Sequence, residues 1–401
     1  MSQLSQKFKK DNKDFMVLSA VCILFVVDAH AGGPINLLNK IFPYDSFFMP
    51  AFIFISGYFY KVPITSNETK RFCLKKLKRL LVPYYLYNIL ISLLWLIPIF
   101  FVTQQLWGTN FFLSFNGILP FFYKLLIEFP FSSGVSSDLV SPSWFLVALL
   151  GTILSYTLLT KVHVSEGLRA SFILFLCLLI VGMGSIYSAV KGFNQNPWFL
   201  LMLKIAFFLP FFHLGCILRK LDARNLLKEK DYGMMAILSI GTNIVLLLFF
   251  SPSALSFPSL AFMARFPFPL SELSGWGFLK IILPYLTSFT GIFFYLYISK
   301  LIAKNWGSQP ILNLISNNTL QILCLHLFCF NVINLVFYLL KTNFGLFTGF
   351  NETLFFSSAW YIYGPHVGFQ FFYLLVGVIG PLTLVVLREK FISTLSKQKT
   401  G

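Results

Sequence analysis

Residues 170–189 read ASFILFLCLLIVGMGSIYSA, a run of 20 positions without a single Asp, Glu, Lys or Arg. A helix of about 20 apolar residues is long enough to cross the hydrocarbon core of a bilayer, which is roughly 30 Å thick. No water inside that core satisfies bare backbone groups, so such a segment must be helical rather than an open strand. This run therefore predicts a transmembrane helix.

Similar runs recur along the 401 residues, of which 57% are hydrophobic and only 11% are charged. Soluble domains are about 25% charged, and the 50 phenylalanines exclude a disordered chain. The composition predicts one all-α, polytopic membrane bundle of about ten transmembrane helices. The predicted spans are Phe15–Ala31, Phe47–Tyr60 (the shortest), Leu80–Val102, Ser143–Thr160, Ala170–Ala189, Trp198–Leu218, Tyr232–Phe250, Ile281–Leu301, Leu320–Leu340 and Val367–Leu387.

Lysine and arginine are distributed unevenly between the segments that connect these spans. If both termini are cytoplasmic, 24 of the 31 basic residues lie on the cytoplasmic side, against 7 elsewhere. Cytoplasmic loops carry such an excess, so the net charge of +17 is a topology signal and no nucleic-acid partner is expected. We predict a cytoplasmic segment 1–14, a single domain 15–387 and a cytoplasmic tail 388–401 in a multi-pass protein of the plasma (inner) membrane.

Two predicted outside connections, 103–142 and 251–280, are long. In the first, Phe111–Phe131 is apolar but interrupted by prolines, which predicts an interfacial or re-entrant segment. In the second, Ser256–Leu270 is rich in Pro and Phe, and we expect it to lie against the bundle as a lid or vestibule wall. Ordered loops of this length more often serve function than not.

The first span allows a second interpretation. Its basic start, apolar run and Ala29-His30-Ala31 imitate a signal peptide with its cleavage site. Asp28 stands just before that site and argues against cleavage, so we expect the span to be retained.

The six cysteines lie in predicted spans or on the cytoplasmic side without a CxxC pair, which predicts neither a disulfide nor a metal site.

Ionisable side chains are costly inside a membrane and by default mark a functional site. The predicted spans contain Asp28, His30, His213 and His326. At 1.5 Å per residue, His30 lies near the outer end of its span, whereas His326 lies about 9 Å above Leu320, in the inner half of the bundle. We therefore expect the histidines not to converge, which argues against a three-histidine metal site.

His30 is the best candidate for chemistry, because a neutral imidazole can take a proton from a hydroxyl and return it to a leaving group. The alternative is a histidine that only bonds a neighbouring helix. Asp28, two positions away, faces another side of the helix; we expect it to pair with Lys or Arg elsewhere or to face the outer water. His213 and His326 are expected to be packing or network residues.

Two further features each have a functional and a plain interpretation. Ser56-Gly57 places a small polar pair in the middle of the second span, either as part of a site or for close helix packing. The basic run Lys70–Arg79 either clamps the phosphates of an anionic cofactor or follows the positive-inside rule and attracts anionic lipid.

Taken in order, several motifs resemble those of the acyltransferase 3 family of polytopic membrane O-acyltransferases. The resemblance covers most of the chain, and the motif around Ser56 is its most specific part. The matching segments are Leu24–His30, which closes the first span on histidine; Phe47–Tyr58, rich in phenylalanine with Ser-Gly; Arg79–Tyr84, after the basic loop; Ser143–Leu146; and Leu323–His326.

The resemblance implies transfer of an acyl group, usually acetyl, from cytoplasmic acetyl-CoA as co-substrate to a hydroxyl of an envelope glycan or lipid-linked saccharide, without a metal. Members commonly have Arg or Lys eleven residues before the first histidine, where this chain has Ser19. The implied roles are His30 as general base, Lys76 and Arg79 as ligands of the CoA phosphates, and Asp28, Ser56, Trp144 and His326 as supporting residues.

The implied roles place donor and base at opposite faces of the membrane. The CoA head would stay by the basic loop of Lys76 and Arg79 while its acyl arm, or a relayed acyl group, threads the bundle toward His30. Two alternatives remain at this point. One is a polysaccharide exporter or accessory protein; the other is a secondary transporter with histidine proton relays, although no inverted repeat is visible.

Overall fold

In the computed structural model of the protein, the described residues are 3–35, 37–103, 123, 138–162, 167–250, 277–306 and 310–398. Most of these residues are helical and none of them lies in a strand, which confirms the all-α class. The predicted interfacial or re-entrant segment Phe111–Phe131, apart from Tyr123, and the predicted lid or vestibule wall Ser256–Leu270 lie outside them.

The α-helices of this part of the chain are α1 (Gln3–His30), α2 (Tyr44–Tyr58), α3 (Ser66–Thr103), α4 (Trp144–Val162), α5 (Leu168–Val190), α6 (Pro197–Ala223), α7 (Glu229–Phe249), α8 (Gly277–Trp306), α9 (Pro310–Asn317), α10 (Thr319–Phe344), α11 (Glu352–Ser357) and α12 (Val367–Gln398). Short 3-10 helices, Asp138–Ser143 and Phe193–Gln195, precede α4 and α6.

Seven of the described helices are long and apolar enough to cross a membrane, so the chain is a multi-pass membrane protein. They match the fourth to tenth predicted spans: Leu139–Lys161, Leu168–Ala189, Trp198–Ala223, Glu229–Phe249, Ile281–Asn305, Thr319–Phe344 and Val367–Lys390. The first three predicted spans lie in α1, α2 and α3. The count of ten and the cytoplasmic termini stay predictions; α2, with 15 residues, is only about 22 Å long.

Ion pairs connect three helices at one end of the bundle. Lys300 of α8 lies 2.8 Å from Asp14 of α1, and Lys304 lies 2.6 Å from Glu229, the first residue of α7. The predicted layout places all four residues on the cytoplasmic side. Their contacts are therefore compatible with the predicted alternation of the spans.

The first two helices form the centre of the bundle. α1 contacts α2, α8, α9, α10 and α12, while α2 also contacts α6 and α8. Most residues of α2 are buried, including both ends of the helix at Tyr44 and Tyr58. Because α1 ends at His30, the packing of this centre fixes the position of that imidazole.

Two glycines allow α2 and α6 to cross in close contact. A Cβ atom at Gly57 would overlap the backbone oxygen of Phe212, and one at Gly215 would overlap the backbone oxygen of Phe54. Small residues favour such approaches between membrane helices. For Gly57, the close-packing interpretation of the Ser-Gly pair is therefore correct.

This crossing gives a stability prediction. Gly57→Ala should lower the free energy of unfolding by about 1–3 kcal/mol, since the added methyl group overpacks the crossing. Gly184→Ala is the matched control, because Gly184 lies on an exposed helical position with no atom near its added Cβ. Thermal unfolding in detergent measures both. Equal midpoints for Gly57→Ala and Gly184→Ala would show that the crossing is not tight.

Candidate active site

Two histidines meet at the end of α1. His30 is the last residue of that helix, and His326 lies on α10 with its side chain fully buried. Nδ1 of His30 lies 2.7 Å from Nε2 of His326, a hydrogen-bond distance. The rings are nearly parallel, with 3° between their planes and 4.9 Å between their centroids. The fold thus joins the first helix to a late one through a pair of imidazoles.

The second hydrogen bond of His326 decides which ring donates. Nδ1 of His326 lies 2.8 Å from the carbonyl oxygen of Ile322, which can only accept, so this Nδ1 carries a proton. In a neutral ring Nε2 then has a lone pair and accepts a hydrogen bond from Nδ1–H of His30. The Nε2 atom of His30 keeps its own lone pair, which is the state that a general base requires.

The prediction that His30 and His326 lie at different depths is wrong. That prediction measured the depth of His326 from Leu320, as though α10 began at the inner surface. In the structure α9 ends at Asn317 before α10 begins, and Leu320 lines the same cavity as Ser19 of α1. Ser19 lies four residues, or about 6 Å, above the start of the first predicted span. This offset raises His326 toward the level of His30.

Trp360, in the loop between α11 and α12, contacts the ring of His30 edge-on. The ring centroids are 4.9 Å apart and the planes are inclined by 70°. Trp360 is 45% exposed, so the imidazole lies beside an accessible aromatic surface. Trp360 was not predicted from the sequence, because it belongs to none of the family-like motifs; the nearby Tyr361 and Tyr363 were the available signal.

Asp28 is fully buried and braces the turn that follows α1. Its carboxylate accepts a hydrogen bond from the backbone N–H of Ile35 at 3.1 Å, and its carbonyl oxygen accepts one from the N–H of Gly33 at 2.8 Å. Gly32 and Gly33 have φ values of +92° and +78°, which other residues rarely adopt. Burial excludes the expected placement of Asp28 in the outer water. Its observed contacts fix the path by which the chain leaves His30.

A cavity of about 320 Å³, here called the first cavity, brings together residues from six helices. Ser19, Ser56, Lys76 and Arg79, all noted in the sequence, line it. The remaining wall is formed largely by apolar and aromatic side chains. The structure therefore joins the basic run of α3 to the Ser-Gly motif of α2, with Ser19 where the family commonly has a basic residue.

The basic end of the first cavity suits an anion. Lys76 is half-buried and Arg79 is exposed. Burial, together with the charges of Arg79 and Lys75, lowers the pKa of Lys76 from its usual value. Among the described residues that line this cavity there is no carboxylate. A bound anion would relieve the repulsion between the cations, and both side chains are common partners of phosphate.

The apolar end of the first cavity approaches the histidine pair. Ile23 and Leu323 both line the cavity. Ile23 lies seven residues before His30 on α1, a rise of about 10 Å, and Leu323 lies three residues before His326 on α10, a rise of about 4.5 Å. One to two helical turns therefore separate the cavity from the imidazoles.

Trp144, one of the predicted supporting residues, begins α4 and is buried. The ammonium nitrogen of Lys204, on α6, lies 3.9 Å from the centre of its ring, which is a cation–π contact. The next two residues, Phe145 and Leu146, line the first cavity. The observed contacts of Trp144 thus anchor the start of a helix that forms one wall of that cavity.

His213 belongs to a separate network, as expected. Its Nε2 lies 2.8 Å from the carbonyl oxygen of Ser171, and its Nδ1 lies 2.6 Å from the hydroxyl of Tyr156. Because the carbonyl only accepts, Nε2 donates to it and Nδ1 of the neutral ring accepts from Tyr156. Across the described ranges, no group of three His, Cys, Asp or Glu side chains is placed to hold a metal.

A family model described as an acyltransferase domain matches residues 14–387 of the chain. The matched range includes the histidine pair, Trp360 and the whole first cavity. A search of curated proteins and a search of solved structures found no match.

Proposed function

The chain belongs to the acyltransferase 3 family of membrane acyltransferases, and we propose that it transfers an acetyl group from acetyl-CoA to a hydroxyl of a cell-envelope carbohydrate. One observation carries this proposal. A hydrogen-bonded histidine pair, with the Nε2 lone pair of His30 left over, lies one to two helical turns beyond Ile23 and Leu323, which line the same cavity as Lys76 and Arg79.

In the proposed reaction His30 acts as general base. Its Nε2 takes the proton of the acceptor hydroxyl as the hydroxyl oxygen attacks the thioester carbonyl carbon. The tetrahedral intermediate then collapses, the carbon–sulfur bond breaks, and His30 returns the proton to the CoA sulfur. The products are the acetyl ester and free CoA.

His326 supports both proton transfers without touching the substrate. When His30 becomes an imidazolium, the lone pair on Nε2 of His326 continues to accept from its Nδ1–H, and this contact stabilises the positive charge. The bond from His326 to the carbonyl oxygen of Ile322 keeps the partner in the accepting tautomer. His326 is therefore a positioning residue in this mechanism.

The first cavity has the chemistry that the acetyl-CoA donor needs. Its volume of about 320 Å³ is within the range of small-molecule sites. Lys76 and Arg79 would pair with CoA phosphates, and the apolar wall would surround the thioester arm. Exclusion of water protects a reactive thioester from hydrolysis. The acetyl group must still pass the one to two helical turns between Ile23 and His30.

Trp360 supports a carbohydrate acceptor. A pyranose ring has an apolar face of C–H groups that packs well on an indole ring. Trp360 is half-exposed and contacts His30, so a sugar stacked on it would bring its hydroxyls beside the base. With Lys76 and Arg79 at the cytoplasmic face of the plasma (inner) membrane, as we propose, the donor arrives from the cytoplasm and the acceptor from outside.

The central test of this function is His30→Ala. In sealed vesicles with labelled acetyl-CoA supplied only on the face of Lys76 and Arg79, the variant should lose about 10²- to 10⁴-fold of the transfer rate to envelope glycan, the usual contribution of a general base. His366→Ala, which removes an exposed imidazole, is the matched control. Its rate should equal that of the unmodified protein.

The same variants in cells distinguish the enzyme from an exporter. At equal protein level, His30→Ala should remove the O-acetyl ester from surface glycan, measured by mass spectrometry, while glycan export continues. Failure of export with normal acetylation of pre-formed glycan would overturn the proposed reaction. A strict need for acceptor on the face of Lys76 and Arg79 would overturn the proposed sidedness.

The donor site gives a separate kinetic prediction. Lys76→Gln and Arg79→Gln should each raise the KM for acetyl-CoA about tenfold, because each removes a charge-assisted contact to phosphate. The kcat should change little, since neither residue lies near the thioester carbonyl in this proposal. Lys78→Gln is the control: Lys78 is exposed beside them and does not line the cavity. If Lys76→Gln, Arg79→Gln and Lys78→Gln all have the same KM for acetyl-CoA, the CoA phosphates do not bind in this cavity.

A further inference from the structure

A second cavity, of about 400 Å³, lies between the segment that follows α2 and the helices α4, α5 and α6. Three cationic residues line it: Lys61, Arg219 and Lys220. Among the described residues of its wall there is no carboxylate. The neighbouring acid on α6, Asp222, accepts hydrogen bonds from the hydroxyls of Tyr58 and Tyr232. The described part of the cavity wall is therefore strongly positive.

Hydrogen bonds hold the inner wall of this second cavity in place. Arg219 donates to the carbonyl oxygen of Tyr60 at 2.6 Å, and Lys220 donates to the hydroxyl of Ser171 at 2.7 Å. His213 and Tyr156 bond to each other and also line the cavity. Arg219 has five N–H donors in a planar fork, so its single bond to Tyr60 leaves capacity for a ligand.

The two cavities are neighbours. Phe59 lines the first, whereas the next three residues, Tyr60, Lys61 and Val62, line the second. The segment that follows α2 thus contributes to both basic cavities. In the predicted topology Lys76 and Arg219 both belong to cytoplasmic segments, so a single anionic ligand with phosphates at two places could engage both.

We propose that the second cavity binds a phosphate group, held by Arg219 with Lys61 and Lys220. Guanidinium forms bidentate bonds to phosphate oxygens, and the ammonium groups supply further charge. The phosphate belongs either to the 3′ position of the CoA donor or to the headgroup of an anionic phospholipid. This inference goes beyond the proposed reaction, because binding requires neither acceptor nor acyl transfer.

Ligand binding to the full-length protein tests the donor as the source. The affinities of CoA and 3′-dephospho-CoA are measured in neutral detergent for the unmodified protein, Lys61→Gln and Lys220→Gln. If the 3′-phosphate occupies the site, both variants should weaken CoA binding about tenfold and leave 3′-dephospho-CoA binding unchanged. Lys61 is exposed, so its replacement should not disturb folding. Lys230→Gln, at an exposed position outside both cavities, is the charge-matched control.

A second arm tests phospholipid as the source. After incorporation into nanodiscs of mixed phosphatidylcholine and phosphatidylglycerol, native mass spectrometry counts the phosphatidylglycerol that stays bound. If the headgroup occupies the site, Lys61→Gln and Lys220→Gln should lose a bound lipid that Lys230→Gln keeps. The proposal is overturned if Lys61→Gln and Lys220→Gln have the same CoA affinity as Lys230→Gln and also keep the same number of bound phosphatidylglycerol molecules. If the unmodified protein binds neither CoA nor 3′-dephospho-CoA, the proposed function is wrong. The phospholipid experiment then still tests whether the second cavity binds a phosphate group.

Discussion

The hydrogen bond between His30 and His326 is the constraint on which the proposed chemistry depends. It forms because α1 and α10 pack together with their imidazoles at one level. The carbonyl oxygen of Ile322 fixes the tautomer of the second ring, while Asp28 and two glycines with positive φ turn the chain away after the first. One main-chain acceptor on α10 thus determines which nitrogen of His30 is available for proton transfer.

The first cavity combines two different environments, one charged and one apolar. The end of α3 that carries Lys76 and Arg79 offers charge to an anion, and the wall that reaches Ile23 is mainly apolar. Charge is best kept near water, whereas a thioester is best kept away from it. In the proposed function, the nucleotide of the donor would lie by the charged residues and its acyl group by the apolar wall.

Much of this site could be predicted from the sequence, since the costly polar residues of a membrane chain stand out against an apolar background. The choice of His30, Ser56, Lys76 and Arg79 as candidates came from motifs, and the structure places the last three in one cavity. The depth of His326 could not be predicted, because the polar residues between α9 and α10 mark where the span begins, but hydropathy does not tell how deep in the bundle that start lies. Trp360 was missed for a similar reason: a loop has no periodicity that would reveal its contact with His30.

The protonation state of the His30 ring tests this account most directly. Nitrogen-15 NMR of the histidine rings, with the His30 signals assigned by their loss in His30→Ala, reports which nitrogen carries the proton. The account predicts a neutral ring protonated at Nδ1, with a bare Nε2, and loss of this preference in His326→Ala. A His30 ring protonated at Nε2 in the unmodified protein would contradict it.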